Sequence, residues 1–556
     1  MTAAVDLAQR LGELVLYQIY PQSFADANGD GIGDLEGVRQ RLDYLAWLGV
    51  DAVWLSPCFV SPFQDAGYDV ADYCTIAPRY GTNDDLIALC RDAHERGIGI
   101  LLDLVAGHTS DQHPWFLSAA APDAPPHVRD RYIWSDEPRD GWQPLGGRHF
   151  LPNFFPCQPA LNFGYARSLE SEPWRQSVDA PGPAANRQAL KDIMSFWFAR
   201  GVSGFRVDMA ASLVKDDEGL VETRRLWTDL RDWVDEHHPG RILVAEWGDP
   251  AVSVPAGFHA DFLLQFGGAD DGLPLRSLWN NGSGTVNAEW GEVPSWADAE
   301  AAGDTLTFVT ATEDAIRAIC GRSSDAYGRT GILGLPTSNH DFTRLVSGSR
   351  DAEQARVAFV LTLTWPAMPS IYYGDEIGMR FLPDAPTIEG SMLSPTYDRA
   401  GSRTPMQWGD PGSVPGPGTP GASTYLPADP APDAPTVSDS IASESSLLHQ
   451  VRRLVALRHE DPRLHASSPL RVVTGPYPFV YARGHDESLL VLLNPGRSAT
   501  RIELPDLRGR VVTGRGVEID GETAHIAGFG YAVIDRSADT HSDFATTSTS
   551  TERDTA

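Results

Sequence analysis

The feature that most constrains the fold of this chain is a series of eight short apolar runs, each separated from the next by a longer segment. Such runs are typical of parallel strands buried on both faces, and several intervening segments, such as 35–48, 84–96 and 189–199, have the apolar spacing of amphipathic helices. Eight such units predict a closed (β/α)8 TIM barrel, with a doubly wound open sheet as the alternative. The runs are residues 14–20, 52–56, 98–105, 205–210, 242–247, 261–266, 332–337 and 369–373.

Two departures from this alternation predict further domains. Residues 106–185, between the third and fourth runs, are rich in Pro, Trp and Asn, and we interpret them as a subdomain inserted over the barrel mouth. Alternating apolar residues predict a C-terminal all-β sandwich over 465–537. The barrel is then formed by residues 1–105 and 186–464, and the polar end, 538–556, is expected to be disordered.

Charge and hydropathy limit the partners of the chain. Its 556 residues carry 44 Lys and Arg against 75 Asp and Glu, and the formal net charge of -31 disfavours nucleic acid and anionic membranes. We therefore expect a small, neutral partner. No signal peptide and no apolar run of about eighteen residues is visible, so a cytoplasmic location without a membrane span is expected. The sequence does not indicate an oligomeric state.

The fourth run ends in a charged pair. The two-residue period of a strand places Arg206 and Asp208 on one face, which must look into the barrel mouth. A neighbouring guanidinium favours the ionised carboxylate, which is the form a glycosidase nucleophile needs. A structural ion pair at the strand end is the alternative.

Other runs end in further polar side chains. Glu246 closes the fifth run beside an indole, where desolvation would raise its pKa and suit it to be a general acid. Asp341 follows the seventh run, and residues 103–108 follow the third. Because barrel enzymes carry their chemistry at the C-terminal ends of the strands, these side chains predict one active site.

Seven segments resemble the motifs of glycoside hydrolase family 13, the α-amylase family, and the resemblance extends from about residue 14 to residue 534. It implies that Asp208 is the nucleophile of a retaining reaction, Glu246 the acid/base and Asp341 the carboxylate that stabilises the transition state. The resemblance also implies that His108, Arg206 and His340 line the glucosyl pocket and that Tyr68 is its stacking platform. The segments are residues 17–21, 67–70, 103–108, 204–208, 246, 339–341 and 403–408.

Within this family, residues 403–408 and the modest insertion resemble the branch of oligo-1,6-glucosidases, α-glucosidases and trehalose synthases. The resemblance implies an Asp and an Arg that close the pocket behind the sugar ring, roles that we assign to Asp69 and Arg403. Three residues depart from the branch pattern: Gly107 stands for Asn, Ala160 for Asp, and Met209 for the smaller residue expected after the nucleophile. These departures leave the linkage preference open.

The first connection has the composition of a cation site. Between residues 26 and 34, oxygen-bearing side chains alternate with glycines, as a hard cation such as Ca²⁺ requires. The loop has no Glu at the twelfth position, so it is not an EF-hand. Similar loops in this branch imply a structural Ca²⁺ bound by Asp26, Asn28, Asp30, Asp34 and the carbonyl of Ile32; a turn without metal is the alternative.

Together these features predict exo-acting hydrolysis of short α-linked gluco-oligosaccharides or disaccharides, without an organic cofactor. A trehalose synthase-like isomerase or transglucosylase would use the same catalytic residues and is the nearest alternative. A non-catalytic partner subunit of a transporter is the alternative of another class. It conflicts with the complete set of Asp208, Glu246 and Asp341.

Overall fold

The computed structural model describes residues 5–172, 174–264, 274–279, 294–320, 331–348, 350–389, 399–409, 424–505 and 507–537. The predicted disordered tail, 538–556, and the last two residues of the sixth apolar run lie outside these described residues. No described helix is long and apolar enough to cross a membrane.

The eight apolar runs form one closed parallel barrel, which confirms the predicted fold and excludes an open sheet. The longest strand, Gly99–Val105, is buried at every residue. Seven strands are shorter than the predicted runs by one to three residues, and the eighth has the predicted length but begins one residue earlier. They are β1 Leu16–Ile19, β2 Ala52–Leu55, β5 Gly99–Val105, β9 Gly204–Asp208, β10 Ile242–Ala245, β11 Ala260–Phe262, β12 Ile332–Pro336 and β13 Met368–Tyr372.

Helices cover the outside of the barrel. The predicted helix over 35–48 is two helices that meet at Arg41, and the predicted helix over 189–199 begins earlier, at Pro181, because a proline is tolerated in the first turn of a helix. The helices are α1 Pro21–Phe24, α2 Leu35–Gln40, α3 Leu42–Leu48, α4 Asn83–His94, α5 Pro114–Ala120, α6 Pro126–Arg129, α7 Pro181–Phe198, α8 Val221–His237, α9 Pro250–Ala256, α10 Pro274–Leu278, α11 Leu306–Cys320, α12 Ala352–Thr364, α13 Val437–Ala442 and α14 Leu447–Glu460.

Two small sheets accompany the barrel mouth. Strands β3 (Phe59–Val60) and β4 (Asp72–Ile76) pair within the second connection. Strands β6 (Trp134–Ser135), β7 (Gln143–Leu145) and β8 (Arg148–Phe150) form a three-stranded sheet in the predicted insertion. The insertion is tied to the barrel by an antiparallel bridge between His108 and Ala160.

The C-terminal part is an antiparallel all-β domain, in agreement with the sequence pattern. Its strands are β14 Leu470–Thr474, β15 Phe479–Arg483, β16 Leu489–Leu493, β17 Thr500–Glu503, β18 Arg510–Asp520 and β19 Thr523–Asp535. They form one six-stranded sheet with β19 at its centre. Its buried face packs on α12, so the domain extends the core of the barrel and does not reach the mouth described below.

Candidate active site

The site is organised around the guanidinium of Arg206, which lies at the ends of three adjacent barrel strands. Strand register places Arg206 beside Asp103 and beside Val244. Its Nη1 donates to both oxygens of Asp103, at 2.7 and 3.0 Å, and to Asp208 Oδ1 at 3.0 Å. Its Nη2 lies 2.5 Å from Glu246 Oε1. The Arg206 guanidinium therefore contacts three carboxylates at once.

Asp208 and Glu246 both contact the Arg206 guanidinium, at 3.0 and 2.5 Å, which brings their two carboxyl groups close together. Burial and the charge of Glu246 raise the pKa of Asp208 well above its usual value, whereas Arg206 lowers it. The sequence predicts that Arg206 favours the ionised form of Asp208, and Arg206 does lower this pKa. Its guanidinium is shared among three carboxylates, however, so burial and Glu246 outweigh it and Asp208 retains a proton more readily than an ordinary aspartate does.

The backbone after Asp208 holds Glu246. Met209 lies in the left-handed region, with a φ of 44°, and its N–H donates to Glu246 Oε2 at 2.9 Å. A non-glycine residue in this region is strained, and such strain occurs most often at functional sites. The bulky thioether that departs from the family pattern thus stands next to both catalytic candidates.

Asp341 forms a second polar centre across the mouth. Its Oδ1 accepts from Arg399 Nη1 at 2.6 Å and from Arg403 Nη2 at 3.2 Å, and its Oδ2 lies 3.4 Å from His340 Nε2. Burial acts to raise the pKa of Asp341, but the guanidinium groups of Arg399 and Arg403 hold this pKa well below its usual value. Asp341 is therefore a fixed negative charge.

Arg399 also contacts a carboxylate that sequence reasoning missed. Its Nη2 donates to Asp65 Oδ1 at 2.8 Å, and Asp65 Oδ2 accepts from Gln158 Nε2 at 2.8 Å. Among the described side chains, Asp69 and Arg403, the residues given the closing roles from sequence, make no contact with each other. Asp69 instead accepts from Ser61 Oγ and from the N–H groups of Gln64 and Asp65.

Asp65 and Asp69 have different partners because of the local backbone. Phe63 and Ala66 have positive φ angles, so the chain turns sharply around Asp65. Asp69 lies inside that turn and caps its N–H groups, whereas Asp65 points to Arg399. Asp65 and Arg399 lie in irregular segments without a periodic pattern, so the sequence offers no signal for this pair.

Aromatic rings cover the floor of the site. Tyr68 stacks on His340, with ring centroids 5.4 Å apart and an interplanar angle of 7°. The Tyr68 hydroxyl lies 2.6 Å from His340 Nε2, and Gln18 Nε2 lies 2.9 Å from His340 Nδ1. Burial lowers the pKa of His340 well below its usual value, so this imidazole is neutral.

His108 is the remaining predicted pocket residue, and both of its ring nitrogens have protein partners. Nε2 lies 3.1 Å from the carbonyl oxygen of Tyr68, and Nδ1 lies 3.1 Å from Asn153 Nδ2. Burial lowers the pKa of His108 to about 4, so it too is neutral near pH 7.

The three predicted catalytic carboxylates lie at the solvent edge of this cluster. The side chains of Asp208, Glu246 and Asp341 are 8, 10 and 12% exposed, whereas those of Asp103 and Arg206 are 0 and 2% exposed. A molecule entering the mouth therefore meets Asp208, Glu246 and Asp341 first. Asp103 and Arg206 support them from below.

Packing explains the alanine at position 160. It is fully buried in an apolar cluster with Ile133 and Tyr165, and its backbone pairs with His108. An Asp in that cluster would bury a charge among apolar neighbours, at a cost of several kcal/mol. Alanine at this position therefore matches the packing of the inserted subdomain.

The predicted cation loop is a compact acidic turn. Asp26 accepts from the N–H groups of Gly29 and Gly31, and Asp34 accepts from those of Ala27 and Gly37. Burial and the neighbouring Asp26 raise the pKa of Asp34. Among the described side chains, neither carboxylate pairs with a cationic group.

The donor set of this loop suits Ca²⁺ chemically, since every ligand would be a hard oxygen with a free lone pair. The described residues nevertheless contain no cluster of three or more His, Cys, Asp and Glu side chains arranged to hold a metal. The calcium site therefore stays a prediction, one that depends on Asn28 and the Ile32 carbonyl as well as on carboxylates.

The barrel, its inserted segment and the carboxylates at its strand ends define a carbohydrate-active barrel enzyme. The family model described as alpha amylase, catalytic domain, matches residues 18–259 and 292–467. The chain belongs to this family, glycoside hydrolase family 13, and to its branch of α-glucosidases and trehalose synthases. It is thus an α-glucan-acting enzyme of the glycoside hydrolase type.

Relatives with similar sequence identity to this chain are named either as trehalose synthases or as α-glucosidases. The chain is 31% identical over 519 residues to the trehalose synthase/amylase TreS of Mycolicibacterium smegmatis, covering 84% of this chain and 79% of the relative. It is 30% identical over 564 residues to a glucan 1,6-alpha-glucosidase of Streptococcus dysgalactiae subsp. equisimilis, covering 92% and 96%.

Solved structures share the fold. A trehalulose synthase mutant in complex with Tris matches with a TM-score of 0.75 at 24% identity, covering 94% of this chain and 99% of that one. An isomaltulose synthase mutant from Erwinia rhapontici NX5, in complex with D-glucose, matches with a TM-score of 0.74 at 23% identity, covering 94% and 98%.

Proposed function

We propose that the protein is a retaining hydrolase that releases terminal glucosyl units from short α-linked oligosaccharides or disaccharides. The observation that carries this proposal is the contact of Asp208 and Glu246 with each other and with Arg206. Retaining glycosidases place their two carboxyl groups about 5 to 5.5 Å apart, whereas inverting ones leave a gap of about 6.5 to 9.5 Å for a water. Asp208 and Glu246 are bound by the two terminal nitrogens of one guanidinium, which favours the shorter, retaining separation.

In the first step, a carboxylate oxygen of Asp208 forms a bond to the anomeric carbon while the glycosidic bond breaks. Glu246 gives its proton to the departing oxygen. This step requires Glu246 to be protonated and Asp208 to be ionised when substrate is bound, and Arg206 stabilises the ionised Asp208.

In the second step, Glu246 takes a proton from water, whose oxygen attacks the anomeric carbon and displaces Asp208. Two displacements on opposite faces return the original α configuration. The N–H of Met209 stabilises Glu246 in its ionised state, which is the state this step begins with.

Asp341 would bind sugar hydroxyls and stabilise the positive charge that develops on the ring, for which its permanently ionised state is suited. We assign the closing pair of the pocket to Asp65 and Arg399 in place of Asp69 and Arg403, because only the former pair bonds. A pair that closes the pocket favours exo action, since a polymer cannot run past it. Tyr68, His108 and His340 complete the glucosyl pocket.

A second candidate, a trehalose synthase-like isomerase, is favoured by relatives at 31% identity whose names include trehalose synthase. Both reactions would pass through a glucosyl group on Asp208. They differ in the acceptor, which is water in one case and the retained second glucose in the other.

Incubation with maltose tests the proposal. Hydrolysis yields two glucose molecules for each maltose consumed, whereas isomerisation yields trehalose with little free glucose. Oligosaccharides longer than maltose would indicate transglucosylation. A D208N variant run in parallel controls for contaminating glycosidases, and no turnover of maltose or of any other short α-glucoside by the wild type would contradict the proposal.

We also propose that a structural Ca²⁺ binds at Asp26, Asn28, Asp30, Ile32 and Asp34. The acidic turn supports this assignment through its buried carboxylates, which lack a described cationic partner. The ion would stabilise the first connection of the barrel and would take no part in the reaction.

A further inference from the structure

Gly107 leaves a space beside His108 that another part of the chain fills. A Cβ atom built on Gly107 would lie 2.9 Å from Nδ2 of Asn153, which is closer than real Cβ contacts come. Asn153 belongs to the inserted segment, just after strand β8. Its amide therefore occupies the place where a side chain at position 107 would lie.

The orientation of that amide is fixed by Lys215. Lys215 Nζ lies 3.1 Å from Asn153 Oδ1 and donates to the carbonyl oxygen of Ser212 at 2.6 Å. An ammonium group can only donate, so the amide atom that faces it must be the oxygen. Asn153 Nδ2 consequently points to His108, at 3.1 Å from Nδ1.

The chemistry of this contact defines the protonation of the imidazole. Because Nδ2 of Asn153 can only donate, Nδ1 of His108 must accept, and the ring proton must reside on Nε2. Nε2 then donates to the carbonyl oxygen of Tyr68 at 3.1 Å. The hydrogen bonds from Lys215 to Asn153 and from Asn153 to His108 thus set both the tautomer and the orientation of His108.

The use of lysine at position 215 is unusual for this chain. Lys191 and Lys215 are its only lysines, and arginine supplies every other basic residue of the 44. Burial lowers the pKa of Lys215 to about 8, which leaves it charged at neutral pH. A compact ammonium can reach the Asn153 oxygen and the Ser212 carbonyl together, whereas the larger planar guanidinium has a different donor geometry.

Asn153 also contacts the residue that follows the nucleophile. Its Nδ2 lies 3.7 Å from the sulfur of Met209, whose N–H donates to Glu246. The side chain thus connects the inserted segment to the ends of strands β5 and β9.

We propose that Asn153, held by Lys215, is a positioning residue that fixes His108 and the Met209 side chain, in place of a side chain absent at Gly107. This inference rests on the proposed function, in which His108 lines the glucosyl pocket. Asn153 acts through His108 and Met209.

The test begins with N153A and with the exchange variant G107N/N153A, assayed on p-nitrophenyl α-glucoside. We expect N153A to lower kcat/KM at least about tenfold, since small displacements of pocket groups have effects of that size. The exchange variant should recover most of the loss, because the new amide enters the space that Asn153 vacates. N83A is the matched control: Asn83 also uses both amide atoms in hydrogen bonds, but to the backbone of Cys74 and Ile76 and not to a pocket residue, so N83A should lower the melting temperature without lowering kcat/KM.

A second readout does not require activity. Long-range ¹H–¹⁵N spectra of the imidazole groups, assigned with an H108Q variant, should show His108 protonated at Nε2 alone. N153D keeps the size of the side chain but accepts from both Lys215 and His108, so it should protonate His108 on both nitrogens. Lys215 and the Tyr68 carbonyl are the groups that act on the pKa of His108 besides burial, and both remain in this variant.

The outcomes separate the two proposals. A wild type that turns over no α-glucoside contradicts the proposed function, and the spectra then decide the positioning role alone. An active wild type with N153A within twofold of its kcat/KM overturns the positioning role. So does an exchange variant no better than N153A, or a His108 that carries its proton on Nδ1.

Discussion

Arg206 Nη1 donates to Asp208 Oδ1 over 3.0 Å and, from the same nitrogen, to both oxygens of Asp103. The Arg206 guanidinium therefore binds Asp103 as well as Asp208. Arg206 positions Asp208, the candidate nucleophile, but does not give it an unusually low pKa, because burial and Glu246 raise that pKa. This balance has consequences for stability as well as for catalysis.

Replacing Asp208 should separate these two properties. We expect D208N to lower turnover of p-nitrophenyl α-glucoside by on the order of 10⁴-fold or more. The raised pKa of Asp208 means that its ionised form destabilises the fold increasingly as pH rises through that pKa, so the neutral amide should leave the melting temperature at pH 8 unchanged or higher. D43N, at a side chain that is 86% exposed, is the control and should change neither quantity. Activity of D208N within about 100-fold of the wild type would exclude Asp208 as the nucleophile.

The pair of D65N and D69N tests the reassigned pocket residues. D65N removes the charge that orients Arg399, so kcat/KM for short α-glucosides should fall at least about tenfold. D69N replaces one of the two oxygens that cap N–H groups in the same turn with a donor, and we expect mainly a lower melting temperature, by an amount that corresponds to about 1 to 3 kcal/mol. Steady-state kinetics and thermal unfolding of both variants measure these effects. The reverse pattern would support the assignment from sequence.

The acid side of the pH–activity profile should depend on Asp103. Burial raises the pKa of Asp103 to about 6, against the lowering effect of Arg206, and the negative charge of Asp103 in turn raises the pKa of Asp208. We expect kcat/KM of the wild type to fall on the acid side as Asp208 takes up a proton, at a higher pH than for an ordinary aspartate. Removing that charge in D103N should move this acid limb to lower pH, whatever happens to the maximal rate. An acid limb that stays in place, or moves to higher pH, would contradict the coupling.

Calcium should act on stability and not on the reaction. Chelation should lower the melting temperature more than the initial rate, and added Ca²⁺ should restore it; a cation at 100 times its Kd contributes about 2.7 kcal/mol. D30N, which removes the charge of one proposed ligand that is exposed in the turn, should weaken this response. Elemental analysis of protein purified without chelators provides the direct check, and protein without bound divalent cation would contradict the site.

The barrel could be predicted from sequence because its strands are continuous apolar runs whose polar residues fall at their ends. Asp208, Glu246 and Asp341 could be placed at one site for the same reason. Asp65 and Arg399 could not, since they are 334 residues apart in irregular segments where no periodicity shows which way a side chain points. Asp69 was the natural choice only because the positive φ angles of Phe63 and Ala66, which turn Asp65 toward the mouth, leave no mark in the sequence.

Asn153 illustrates a second limit. Its role depends on the space beside Gly107 and on the position of Lys215. Gly107, Asn153 and Lys215 lie in different parts of the chain. Sequence reasoning identified the missing side chain at Gly107. Only the structure identifies the amide that fills its place.

The stereochemistry of the first product tests the central claim most directly. With p-nitrophenyl α-glucoside as substrate, proton NMR in the first minutes should show α-glucose ahead of mutarotation, or a new α-linked product if a sugar is the acceptor. That result follows from attack by Asp208 and entry of the acceptor on the face that Asp208 does not shield. Early release of β-glucose would mean a single displacement by water, and the roles given to Asp208 and Glu246 would both be wrong.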